Sequence, residues 1–206
     1  MAQGSLIYMI SSSSEPLRQG EILSNLLQLP LDPDKVDLAL DPEKGEDNRR
    51  TFIQPVYHPF SIVVSQDCDL DWDFKARKNE DPTQRHKLLP NILFCMVTTA
   101  EELRGRSDMK SDIWKRVKGN KDERYHFFQK VEPAWDLLGQ GLPELGADFK
   151  RYFTIPTNEV YFQLEKSTAN RRCRLASPYL EHFASRFSYY LSRVALPEDH
   201  YSEPVN

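Results

Sequence analysis

Residues Asn91–Thr99, NILFCMVTT, form a nearly unbroken apolar run of strand length. A run this short, with no polar face, predicts a strand buried on both sides. Such a strand needs cover on each face, and the rest of the pattern predicts a small, mainly β domain with peripheral helices (α+β). Ile62, Val63 and Val64, in HPFSIVVSQ, are β-branched and predict a second strand lying beside the first.

Around this pair the chain divides into shorter pieces. Residues 1–16 read as a flexible arm holding one short strand at 6–10, and residues 17–200 as a single barrel-like domain followed by a tail, 201–206. Residues 20–33, GEILSNLLQLPLDP, suit a helix through Ile22, Leu23, Leu26 and Leu27, or a strand through Leu27, Leu29 and Leu31. Residues 41–50 and 75–87 are rich in charge and turn formers, which predicts exposed loops. Residues 51–57 and 124–131 suit strands, 100–120 a partly helical stretch ending at Gly119-Asn120, and 133–149 a loop with a hairpin. Residues 152–164 predict a strand, a turn at Pro156-Thr157 and a further extended or helical piece. The clearest helix is 178–196, with Ser177 as N-cap and Pro178 in the first turn. Leu180, Phe183, Ala184, Phe187, Leu191 and Val194 draw its apolar face.

Composition removes several classes of function. The 206 residues are 39% hydrophobic, which is globular rather than disordered, and the net charge of −4 requires a local basic patch for any nucleic-acid contact. Cys68, Cys95 and Cys173 are scattered and odd in number, which argues for a reducing compartment and against a disulfide framework or structural zinc. No apolar run reaches the ~20 residues of a membrane span, and the N-terminal stretch lacks a basic n-region, so a cytoplasmic protein without a membrane partner is expected. The five histidines, His58, His86, His126, His182 and His200, show no HxxxH or HExxH spacing, and no phosphate loop, GxGxxG or GxSxG is present. No cofactor is expected.

Residues 61–74, SIVVSQDCDLDWDF, place Asp67, Asp69, Asp71 and Asp73 two apart. If the strand continues, all four carboxylates share one face and repel. Asp67 and Asp69 are then the weak candidates for a Mg²⁺ or Mn²⁺ site, with His86 nearby. A basic protein partner, or Arg171, Arg172 and Arg174, would serve as well, and a solvated loop would leave the acids without a role. In the extended phase Cys68 points inward with Ile62 and Val64, and Cys95 belongs to the core. Residues 167–178, STANRRCRLASP, carry the main basic cluster besides Arg49 and Arg50, and run into a helix N-terminus suited to a phosphate or RNA backbone. The same arginines could instead pair with the acid stripe. The aromatic C-terminal helix offers a face for a homo-oligomer or a partner protein.

These strands resemble those of the MazF/PemK-like toxin superfamily. GEILSNLLQLPLDP has the outline of that family's first strand at Gly20, Glu21 and Asp32-Pro33. HPFSIVVSQ approaches the second at Pro59 to Ser65, and LFCMVTT the third at Thr98-Thr99. The resemblance implies an SH3-like barrel with long insertions and a C-terminal amphipathic helix. It also implies a metal-independent RNA endonuclease of a bacterial toxin–antitoxin or defence system, with an antitoxin as partner. Its third-strand hydroxyl falls on Thr98 (or Thr99), its arginine position falls on Pro59, and Ser65 and His58 are the further catalytic candidates, with His58, or Arg49 and Arg50 from the loop, to compensate for that arginine. The arginine that active members carry before the second-strand proline is missing, and Arg50 is the nearest upstream, which points to a silent or altered barrel. A non-catalytic SH3-like binding module, acting through the acidic face and the aromatic helix, is the alternative.

Overall fold

A computed structural model of the chain describes residues 7–31, 53–79 and 82–193. Strands β1 (Tyr8–Ile10), β2 (Glu21–Gln28), β3 (Val56–Val63), β4 (Asn91–Thr99), β5 (Tyr125–Phe128), β6 (Leu145–Pro156) and β7 (Asn170–Leu175) build one sheet. Its order is β1-β7-β2-β3-β4-β6-β5, and every neighbouring pair is antiparallel. Helices α1 (Asp67–Asn79), α2 (Ala100–Arg104), α3 (Ser111–Lys118), α4 (Thr157–Glu165) and α5 (Tyr179–Ser192) surround it.

The expected neighbours pair as anticipated: β3 and β4 run side by side with Phe60 opposite Val97 and Val63 opposite Phe94. The apolar run of β4 is buried on both faces because the sheet is covered twice. Cys95 and Val97 join Ile22, Ile62, Ala147, Phe149 and Cys173 on one face, under Phe183 and Phe187 of α5. Ile92 and Phe94 join Leu23, Leu26, Val63 and Ile155 on the other, under Leu70 of α1 and Val160 of α4. Each such aliphatic or aromatic side chain stabilises the fold by about 1.5–3 kcal/mol through its removal from water. A third, smaller cluster holds Leu103, Trp114, Val117 and Tyr125 beneath α2 and α3. Gly20 lies where a Cβ would meet Leu180 at 2.7 Å, and its φ of +74° admits little but glycine, so β2 starts hard against α5.

The architecture is α+β, and the sheet is open. No ladder joins β1 to β5 among the described residues, although the sheet curls enough for the Tyr8 hydroxyl to donate to the Gln129 carbonyl at 2.6 Å. The short strand expected at 6–10 forms as Tyr8–Ile10 and is the edge strand paired to β7.

The sharpest correction concerns residues 67–79, which form helix α1 rather than an extension of β3. Helical turns of about 100° per residue place Leu70, Asp73 and Ala76 on the buried side. Asp67 and Asp69 lie in the first turn and Arg77 and Lys78 in the last, each favourable to the helix dipole. An i, i+2 acid pattern that would share one strand face is therefore split between two sides of a helix. Cys68, expected inward, is exposed, while Cys95 is buried as expected. The predicted loop 75–87 is the end of α1 followed by a 3₁₀ helix at Pro82–Lys87. The C-terminal helix starts at Tyr179 with Pro178 at the N-cap and no side-chain cap, so Ser177 does not cap it. Residues 194–196 of the predicted helix lie outside the described residues.

Candidate nucleic-acid interface

Between β4 and β6 the register breaks. Cys95 faces Tyr152 and Val97 faces Ala147, so Asp148, Phe149, Lys150 and Arg151 stand opposite Met96 alone. A bulge of this kind bends the strand and re-aims its side chains. Phe149 turns inward and is fully buried against Phe183 and Phe187. Asp148 and Arg151 turn toward the end of β4, where Thr98 lies.

There Pro59, Met96, Thr98, Glu102, Arg106 and Arg151 line a cleft of about 360 Å³. The arginines come from three elements. Arg124, just before β5, donates from Nε and Nη2 to Asp148 at 2.7 and 2.6 Å. Arg106, in the turn between α2 and α3, lies 3.7 Å from Asp148 and donates to Asp108 at 3.0 and 2.9 Å. Arg151 lies 3.9 Å from Asp148 and keeps more than half of its side chain exposed. Three guanidiniums thus stand with three carboxylates, those of Asp148, Asp108 and the lining Glu102, so the formal charges of the cluster balance. The hydrogen bond to Asp148 raises the pKa of Arg124, and that to Asp108 raises the pKa of Arg106. The Arg124 and Arg106 guanidiniums lie 4.8 and 5.9 Å from the Tyr125 ring centroid. Burial, then Asp148, raises the pKa of that tyrosine, whose hydroxyl is buried without a hydrogen-bond partner.

The expected catalytic positions do not meet. Thr98 opens into the cleft, whereas Thr99 caps α2, its hydroxyl and the Glu102 carboxylate each accepting from the other residue's N–H at 3.1 Å. Ser65 follows β3 and accepts from the Leu93 N–H at 2.9 Å. Because β3 and β4 are antiparallel, Ser65 and Thr98 stand at opposite ends of their ladder, roughly 20 Å apart along the strands. His58 is buried, its ring stacked 3.8 Å from Phe153 and its Nε2 held 3.1 Å from Gln28 Oε1. Burial lowers its pKa, and its Nδ1 has no partner.

The expected anion-binding arginines are engaged elsewhere. Arg171 forms a buried pair with Glu21 at 2.5 and 2.8 Å and donates to the carbonyls of Glu15 and Pro16. Arg172 forms a second buried pair with Asp136 at 2.8 and 2.7 Å. Arg174 lies 3.7 Å from Glu15. None of the three meets the acid run, and the two buried ones have no face left for RNA. Arg49 and Arg50 lie outside the described residues.

The four aspartates act separately. Asp67 accepts from the Gln19 N–H at 2.7 Å, and Asp71 pairs with Lys75 at 2.5 Å. Asp73, fully buried, accepts from Arg77 and from the Leu89 N–H, both at 2.7 Å. Asp69 is half-buried beside Cys68. There is no common acidic face, and no group of three or more His, Cys, Asp or Glu is placed to hold a metal among the described residues, Asp67, Asp69 and His86 included.

Sequence reasoning missed Arg106, Arg124, Tyr125 and Arg151. A signal was present: between residues 104 and 121 seven basic residues stand against only Asp108 and Asp112. The stretch reads as a charged helix, and nothing local shows that a distant bulge lies against it.

Fold and site together define an α+β protein with an open antiparallel sheet and an arginine-lined cleft at a strand bulge. Comparison with family models, curated proteins and solved structures returns no match. Among the described residues no helix is long and apolar enough to cross a membrane.

Proposed function

We propose that the protein is a catalytically silent RNA-binding module, a diverged relative of the MazF/PemK-like proteins that works in the cytoplasm of a bacterial toxin–antitoxin or defence system. The observation that carries this reading is the position of Thr98, the residue at which the strand resemblance puts a phosphate-contacting hydroxyl. It shares its cleft with Arg106 and Arg151. Guanidiniums recognise phosphate oxygens in pairs, and a hydroxyl adds a neutral donor. These arginines supply the charge that the missing second-strand arginine would have brought.

Cleavage is another matter. Attack by a 2′-hydroxyl needs a base and an acid at the phosphate. Ser65 is at the far end of the ladder and His58 is buried against Phe153, so neither can exchange a proton there. The alternative of a protein-binding module acting through an acidic strand face and the aromatic helix keeps only the helix, where Tyr189 and Leu191 are exposed, because the four acids are dispersed around α1.

The test is binding of a fluorescent oligouridylate of about a dozen nucleotides, followed by anisotropy at several salt concentrations. Arg151→Ala is expected to weaken binding about fivefold and to lower the salt slope by about one. RNA should remain intact in both EDTA and Mn²⁺. Binding that ignores Arg151 would remove the cleft from the proposal, and cleavage lost in Thr98→Ala would replace silence with catalysis.

A further inference from the structure

Arg106 is the central cation of the cleft, and it is already occupied. Asp108, two residues away, offers both carboxylate oxygens to Nε and Nη2 at 3.0 and 2.9 Å. This is the side-on, two-oxygen geometry with which a phosphate meets a guanidinium. The two other carboxylates at the cleft are committed more deeply. Asp148 is buried and accepts from Arg124 twice and from the Lys150 N–H, and Glu102 closes the cap of α2. Asp108 is held least: half of its side chain is exposed, and Arg106 is the only side chain that hydrogen-bonds its carboxylate among the described residues, with its own backbone N–H and the Arg124 charge adding to the hold. Its own turn carries the backbone bonds Met109 N–H to Arg106 O and Lys110 N–H to Asp108 O, which do not involve the carboxylate. The side chain can therefore leave without unfolding the turn.

On the reading of the cleft as an RNA site, we infer that Asp108 is an internal competitor that holds Arg106 in the free protein and is displaced by a phosphate of the bound strand. The exchange conserves charge pairing, because one anion replaces another on the same guanidinium. Affinity is thereby set by the contest between Asp108 and the phosphate, and a change that neutralises or sequesters Asp108 raises it. The hydrogen bond from Arg106 lowers the Asp108 pKa, so mild acid does not release the competitor.

The experiment uses the same oligouridylate and the full chain. Asp108→Asn and Asp108→Ser are expected to bind about threefold or more tightly than wild type, the scale of an exposed ion pair. Asp112→Asn, which removes an exposed acid in the first turn of α3, controls for net charge and should gain less than half as much. In an Arg106→Ala background the Asp108 substitution should bring no gain, which a double-mutant cycle reads directly. An unchanged or weaker affinity in Asp108→Asn, a gain matched by Asp112→Asn, or a gain that survives Arg106→Ala would overturn the competitor role. Each would leave Arg151-dependent binding in place. Failure of wild type and Asp108→Asn alike to bind would overturn the RNA reading and the competitor with it.

Discussion

Arg171 and Arg172 are adjacent in the chain and point to opposite sides of β7, and both end in buried ion pairs. Asp136 accepts from Arg172 and from the N–H groups of Leu138, Gln140 and Gly141. That single carboxylate shapes the turn after β5 and fixes it to β7. Asp136→Ala would leave a guanidinium buried without its counter-charge, and a loss of about 3–5 kcal/mol in urea unfolding is the expected outcome. A loss below about 1 kcal/mol would mean that water reaches Arg172 readily. Nothing local revealed this. An Arg-Arg pair reads as surface charge unless its partners are known, and Glu21 and Asp136 are 150 and 36 residues away from theirs. Asp73 was illegible for the same reason, since a fully buried acid is explained by Leu89 and Arg77 rather than by its neighbours in an acidic run.

Elements were legible where burial and periodicity agree. The apolar run of β4 and the Phe183–Phe187 spacing of α5 each specify one structure, and both formed. Residues 67–74 carry two periods at once: alternate acids fit a strand, while Leu70, Asp73 and Ala76 fit a helix only once Asp73 is known to be buried. Helix α5 makes a further prediction. Its Arg186 donates to His126 Nδ1 at 2.9 Å, to Asn120 Oδ1 at 3.2 Å and to the Tyr125 carbonyl at 3.1 Å, with the Asp122 carbonyl as a fourth acceptor. His126 must be neutral to accept. Burial, then the Arg186 and His182 charges, hold its pKa well below the ordinary histidine value. The unfolded chain therefore takes up the proton first. Stability is complete above about pH 6.5 and falls as the pH drops below it, by up to about 1.4 kcal/mol per unit. His58, whose pKa is also lowered by burial, adds a contribution of the same sign. The slope of urea-unfolding free energy between about pH 6.5 and 5 should be shallower in His126→Gln than in wild type. An identical slope would assign the effect to other groups.

At the scale of the whole molecule, the two covers of the sheet give the three thiols different fates. Cys95 and Cys173 are buried on the α5 side, the former with its pKa raised by burial and by Asp148, the latter pushed up to about 12 by burial, Asp136 and Glu21. Cys68 is exposed on α1. A thiol reagent should modify Cys68 rapidly in the native protein and the other two only after denaturation. Protection of Cys68 would restore the extended reading of residues 67–74. The class of fold, α+β, followed from the sequence, whereas the antiparallel pairing, the open sheet in place of a barrel and the bulge did not. All three depend on how strands far apart in the chain pair, and in what register.

The open sheet has two rims, and a bare rim invites a foreign strand. On β5 the outward-facing backbone is already spoken for by side chains. Asn120 takes both the N–H and the carbonyl of Phe127, Asp122 accepts from the N–H of Tyr125, and Arg186 donates to the Tyr125 carbonyl. On β1 the rim is only three residues long. Copies of this chain therefore have no template on β5 along which to polymerise, and any assembly it enters must be recognised through side-chain surfaces rather than by lengthening the sheet on that side.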